Sequence, residues 1–347
     1  MTLQSDCSVG LKKETTYGTG VTVDHFPEFT EQSLQQKPAF LQGEGLRVGK
    51  VLPRFARRTL GKVMCEGDIE LEVCTKGFSI FLEAAFGQCT ATLRSGSVYQ
   101  HVATPLTTDP MPSYTAQVGV PPVGGGATIA QTFVGAVCDE WEISAKAGEI
   151  AMWKSSWVAK EMLTATAYAA PSYVASPRLL TFQHAALTIG VNGTSALTVP
   201  TATALGSSAA TANGSVSEFS IAGKNNVDDG GYVVGSAGKR GRRPVYGMRE
   251  LAGSFTAEFV DTTLRDLYIA QSNLHAVLTL TSDQDNIAGG GTYAALQFVI
   301  PSLAFEGDIP TSNKGDLIEQ KIDWTGLDGE SAASPLYAVL VTSDTAV

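Results

Sequence analysis

Val63 to Val73 read VMCEGDIELEV, and the period of that stretch decides the fold class. At the two-residue repeat of a β-strand, Val63, Cys65, Gly67, Ile69, Leu71 and Val73 point one way. Met64, Glu66, Asp68, Glu70 and Glu72 point the other. The first face suits a core. The second carries four carboxylates on successive same-side positions, each ~6.6–7 Å from the next, a row roughly 20 Å long. Such charges repel one another unless solvated. An ordinary solvated face and a functional surface both satisfy that requirement. Val137 to Ala145 (VCDEWEISA) alternates in the same manner, with Glu140 and Glu142 on one side.

The stretch recurs. Gly61 to Val73 (GKVMCEGDIELEV) aligns without gaps on Gly247 to Phe259 (GMRELAGSFTAEF), so that Gly61/Gly247, Gly67/Gly253 and Glu72/Glu258 coincide. Three more pairs follow the same order. Glu28-Phe29-Thr30 resembles Glu218-Phe219-Ser220. Arg54-Phe55-Ala56-Arg57-Arg58 resembles Lys239-Arg240-Gly241-Arg242-Arg243. Gly148 to Trp157 (GEIAMWKSSW) resembles Gly315 to Trp324 (GDLIEQKIDW). A helical pattern succeeds the alternating strand in both copies. In Lys76 to Phe86 it aligns Phe78, Phe81, Leu82 and Ala85; in Thr262 to Ser272 it aligns Leu264, Leu267, Tyr268 and Gln271. Asp261 stands where an N-cap belongs. Elsewhere, short runs of Val, Ile, Phe, Tyr and Thr broken by Gly and Pro read as strands.

The expected fold is therefore mainly β with short helices (α+β), built as two tandem β-sandwich or barrel domains, each with one packed helix. The expected boundaries are an N-terminal arm over 1–20, a first domain over 21–172 and a second over 173–347. Pro171 and Pro177 interrupt regular structure near the junction. The second domain includes an uncharged small-residue loop over 192–214, read as linker or as a segment that orders against a neighbouring subunit.

The chain has 347 residues, 44% hydrophobic and 17% charged, with a net charge of −10. That composition supports a packed core and excludes a disordered polyampholyte. No segment reaches the ~18–20 apolar residues of a membrane helix. The opening MTLQSDCSVGLKKE lacks a signal-peptide layout, so standard export is not expected. So acidic a chain does not hold phosphate backbones through counterion release. The five cysteines form no CxxC pair and read as buried free thiols. Four histidines show no metal-ligand spacing. Gly235 to Lys239 fails as a phosphate loop, since Arg240 stands where Ser or Thr is needed. No GxSxG elbow occurs. The residues offer no convergent acid, base and nucleophile, no metal site and no cofactor site, so an enzyme is not expected. The basic groups Arg54, Arg57 and Arg58, and Arg240, Arg242 and Arg243, suit either solvated loops or bidentate pairing with carboxylates across a subunit contact.

Several segments together resemble one family, the tail tube (major tail) proteins of long flexible-tailed bacteriophages. Val9 to Thr19 (VGLKKETTYGT) is similar to the opening GxxxExTYGT segment of that family. Glu66 to Phe86, closed by Gly87, resembles its strand-then-helix signature. Pro112-Ser113-Tyr114-Thr115 with Gly135-Ala136-Val137-Cys138 resembles its mid-chain pattern, and Lys314 to Leu327 its closing strand. The resemblance implies a structural virion protein that assembles into stacked rings. The rings form the tail tube through which DNA is ejected. It implies six tube domains per ring, hence a homotrimer of this duplicated chain, or a hexamer if the chain is one larger domain. Glu66, Asp68, Glu70, Glu72 and Glu258 then become candidates to line the lumen and repel DNA in transit. The implied partners are other copies of the chain, a tape measure protein, tail terminator and tip proteins, and no membrane. The implied place is the virion tail, after synthesis in the host cytoplasm. The N-terminal arm and uncharged loops become candidates for ring-to-ring contact. A host-recognition or decoration β-sandwich protein is the alternative, and it leaves the acidic strand face unexplained.

Overall fold

A computed structural model describes residues 6–108, 110–211, 213–287, 291–307, 309 and 318–347. In chain order the strands are β1 (Ser8–Lys13), β2 (Phe29–Gln32), β3 (Gln35–Gln42), β4 (Arg58–Glu72), β5 (Cys89–Ser95), β6 (Val98–Ala103), β7 (Tyr114–Val120), β8 (Ile129–Lys146), β9 (Met152–Ala159), β10 (Glu161–Leu163), β11 (Ala185–Val191), β12 (Leu197–Thr198), β13 (Ser207–Ser208), β14 (Val216–Lys224), β15 (Glu250–Glu258), β16 (Leu274–Ile287), β17 (Thr292–Gly307), β18 (Glu319–Gly326) and β19 (Tyr337–Thr342). Helix α1 (Ser79–Phe86) follows β4, and α2 (Thr263–Ile269) follows β15. The fold is mainly β with short helices, and its sheets are antiparallel.

Period-two patterning is realised in β4. Val63, Cys65, Ile69 and Leu71 are buried, while Met64, Glu66, Asp68, Glu70 and Glu72 are half-buried on the opposite face. Gly87 ends α1 at φ 91°, a conformation glycine adopts without strain, and its N–H donates to the Glu83 carbonyl. Helix α2 begins one residue later than the pattern implies, and Asp261 Oδ1 accepts the Thr263 N–H at 2.8 Å.

One continuous ladder runs β2/β3–β4–β9–β8–β14–β15–β18–β17, antiparallel throughout. A second layer comprises β1–β7–β8–β10 and β5–β6–β19–β17–β16–β11. The long strands β8 and β17 belong to both layers. Their first parts pair in the second layer and their last parts in the long ladder. In β8 the change falls beside Gly135, whose φ of 65° a side chain would strain.

The ladder repeats its own register. Gly67 stands opposite Trp157, and Gly253 opposite Trp324. Leu71 stands opposite Phe29 and Ala257 opposite Val216, and each pairing is followed by a bulge, at Phe29/Glu31 and at Val216/Glu218. Cys138 and Phe305 occupy matching places beside the two tryptophans. This register corrects one sequence match: Phe29 corresponds to Val216, not to Phe219. Both copies carry the bulge, so the likeness of Glu28-Phe29-Thr30 to Glu218-Phe219-Ser220 is a match of three letters lying out of register. Gly315 and Asp316, used in the fourth match, lie outside the described residues.

The core does not divide at residues 170–176. Trp141 stacks on Phe86 at 5.1 Å, on Trp153 at 5.3 Å and on Phe298 at 6.0 Å, so one apolar cluster draws on both halves. Strand β19 pairs with β6, and Tyr173 bridges to Phe26. Nor is the N-terminal segment a free arm beyond residue 7. Val9 and Leu11 are fully buried in β1, because alternation in SVGLK suits an inner strand as well as a tail. Over the second layer, the uncharged loop carries the β12–β13 hairpin, with Leu197 and Val199 packed on Val277, Val299 and Tyr337.

Candidate functional site

The ladder has one covered face and one open face. α1 and the second layer cover the first. On the open face, β4 places Glu66, Asp68, Glu70 and Glu72, and β8 places Glu140 and Glu142. β9 inserts Lys154 between Glu70 and Glu142, one directly opposite on each side. Asp68, Glu140, Glu142, Lys154, Lys224 and Glu250 line one shallow depression, which fixes them to a single surface. The second half continues that surface with Glu218, Glu250, Glu258, Asp323 and Glu306.

Carboxylates outnumber lysines on this face more than two to one. The lysines are distributed as bridges. Lys37 approaches Glu66 at 2.9 Å, Lys154 approaches Asp68 at 3.6 Å and Lys224 approaches Glu140 at 2.6 Å. Ser156 donates to Asp68 at 2.6 Å. The hydrogen bond to Glu140 raises the Lys224 pKa. All these groups keep substantial contact with solvent, so each pair is weak and the field of the face stays negative. Glu258 lies on the same surface but opposite Glu319, at the far end of β15. Short-range alternation exposed the carboxylates of β4. Those of β14, β18 and β17 escaped sequence reasoning because only strand pairing brings them beside β4. The string Gln320-Lys321-Ile322-Asp323-Trp324 carried the only local signal of the face in β18.

The two basic groups differ in setting. Arg240 is buried and donates from Nη1 to the carbonyls of Asp228 and Gly230, at 2.9 and 2.7 Å. Arg242 pairs with Asp228 at 2.5 Å, and Arg243 Nη1 donates to the Met111 carbonyl at 2.6 Å. Arg240 and Arg242 brace the 225–249 loop on itself, and Arg243 ties it to the first half of the same chain. Lys239 completes the anchorage on Glu161. Arg54, Arg57 and Arg58 stand instead on a projecting arm over 43–57 and the start of β4, with Arg58 over the Phe40 ring at 4.4 Å. Leu46, Val48, Val51, Leu52 and Phe55 of that arm are almost wholly exposed.

One buried carboxylate escaped sequence reasoning as an organising group. Glu14 is 5% exposed and accepts four hydrogen bonds: from the Gly18 and Gly135 N–H groups and the Ser113 hydroxyl, each at 2.8 Å, and from the Thr115 hydroxyl at 3.0 Å. The opening segment thus meets both parts of the mid-chain pattern at a single side chain.

Burial pushes the Cys65 and Cys74 thiols up to about 11 and the Cys89 thiol to about 12. No helix among the described residues is long and apolar enough to cross a membrane. Among those residues no group of three or more His, Cys, Asp or Glu is placed to hold a metal ion.

No curated protein matches the chain. The family model described as phage tail tube protein matches residues 4–326, nearly the whole chain. The chain belongs to that family.

Proposed function

We propose that this member of the phage tail tube family assembles into stacked rings whose bore conducts DNA, with the acidic ladder face lining the bore. The observation that carries the reading is a long antiparallel sheet, solvated and acidic on one face, covered on the other and unpaired at both ends among the described residues. Open edges favour pairing with another chain. When such a sheet closes, the covered layer lies at the larger radius and the open face turns inward.

The chain acts as two tandem tube domains, related by the repeated register of the ladder, so three copies give pseudo-sixfold rings. With β2/β3 counted as one strand, three copies supply about 24 strands. At ~4.8 Å per strand the wall is roughly 115 Å around and about 37 Å across before strand tilt widens it. A negative wall repels phosphates and gives passing DNA no stepwise, salt-dependent sites to stop at. A tape measure protein would fill the bore before DNA, and terminator and tip proteins would close the ends. The tube stands in the virion tail after synthesis in the host cytoplasm.

Lysine substitution at Glu66, Asp68, Glu70, Glu72 and Glu258 tests the role of the face. The expected result is tubes that retain duplex DNA at low salt and release it at high salt, with slowed ejection from assembled particles. Tubes that handle DNA as the unmodified protein does would remove the charge from the account.

A further inference from the structure

The chain contains, between its own halves, the junction that its two ends lack. Strand β14 lies along the last part of β8, with Lys224 opposite Glu140 and Glu218 opposite Lys146. Past β14, the 225–249 loop crosses onto the first half. Asn225 Nδ2 donates to the carbonyls of Ala85 and Cys138, both at 3.0 Å, and Arg249 Nη1 to that of Phe86 at 3.1 Å. Helix α1 is buried along its whole length beneath this cover.

The equivalent strand edges are present at the ends, without a second strand beside them among the described residues. Lys37 stands opposite Met64 as Lys224 stands opposite Glu250, and Met64 and Glu250 occupy matching places in β4 and β15. Glu306 stands opposite Asp323 as Glu140 stands opposite Ser156. The 43–57 arm leaves β3 as the 225–249 loop leaves β14. Helix α2 has no buried residue, and Ile269 within it and Val260 just before it are exposed. The arm holds Arg47, Lys50, Arg54 and Arg57 against a single Glu44, whereas the α2 segment carries Asp261 and Asp266 against a single Arg265.

Resting on the ring reading above, we infer that each copy docks β2/β3 and its 43–57 arm on the free end of β17 and the α2 face of a second copy, in the register that joins β14 to β8. Lys37 then pairs with Glu306 of the second copy, as Lys224 pairs with Glu140 within the chain. Gln36 stands opposite Gly307, and Leu34 opposite Ile309. The apolar arm covers α2 as the 225–249 loop covers α1. The contact is heterologous, and a ring of three copies closes through six like junctions, three internal and three between copies.

Two measurements test the register. Paired residues of an antiparallel ladder have Cα atoms ~4.5–5.5 Å apart, within reach of a disulfide. Lys37→Cys with Glu306→Cys is expected to give covalent dimers and trimers on oxidation of assembled protein, while either single variant gives none. Lys224→Cys with Glu140→Cys serves as the internal control and closes within one chain. The charge exchange is the second measurement. Lys37→Glu and Glu306→Lys each weaken assembly at least tenfold, and the double exchange restores it. Rescue separates the trans pair from the Lys37–Glu66 contact, which the double variant does not repair. Rings that form without the cross-link, or a double exchange no better than its singles, would overturn the register while leaving the ring reading intact. Absence of any ring or tube from unmodified protein would overturn both.

Discussion

Glu14 shows how one residue joins segments far apart in the chain. A buried carboxylate with four donors is stabilising only while all four are present, and its removal leaves those donors unpaired. Glu14→Ala is expected to lower unfolding free energy by about 3 kcal/mol or more in urea titration. A loss below about 1 kcal/mol would show that the donors find other partners. Two histidines carry a pH dependence. Burial lowers the pKa of His101, whose Nε2 donates to the Asp344 carbonyl at 2.8 Å, and that of His275, which lies between Ser208 and Asn192. Both folded pKa values lie below the unfolded value of about 6.5, so the unfolded chain binds protons that the folded chain refuses. Stability is therefore greatest above about pH 6.5 and falls as pH drops through that value. Melting temperatures between about pH 7.5 and 5.5 should show the decline, and His101→Gln should flatten it. An equal slope in that variant would assign the decline to other groups.

At the scale of elements, the two basic groups separate stability from assembly. Arg240 holds the 225–249 loop inside one chain, so Arg240→Ala is expected to cost about 2–3 kcal/mol of stability. Phe55 and Leu52 are exposed on the arm. Phe55→Ala and Leu52→Ala should leave stability within about 0.5 kcal/mol and weaken association. Melting curves beside sedimentation of the same variants check both, and the reverse pattern would contradict the assignment. Much of this level was legible in the sequence. The period of β4, the two helices and the Trp157/Trp324 correspondence all lie in local patterns. Less local features were not. The true partner of Phe29 in the repeat, Val216, shows only in the strand register, and β1 resembles a tail because its partner β7 lies a hundred residues away. The acidic face could be read for β4 and β8 and, through Glu258, for β15. Its extension across β14, β18 and β17 depends on register between strands, which no single strand encodes.

For the whole molecule, the continuous core explains why a duplicated chain need not divide into separate lobes. Trp141 touches aromatic rings from both halves, and β19 returns to pair with β6. The halves are thereby held at one fixed rotation, which a ring requires of every junction. In the proposed ring, three such chains complete six junctions, three internal and three between copies, with the acidic face continuous around the bore. The most direct test is electron microscopy of assembled protein viewed end-on, with the ring mass measured by native mass spectrometry. The account predicts rings of three chains with pseudo-sixfold outline and an open centre. Rings of six chains, or assemblies without a central opening, would contradict it.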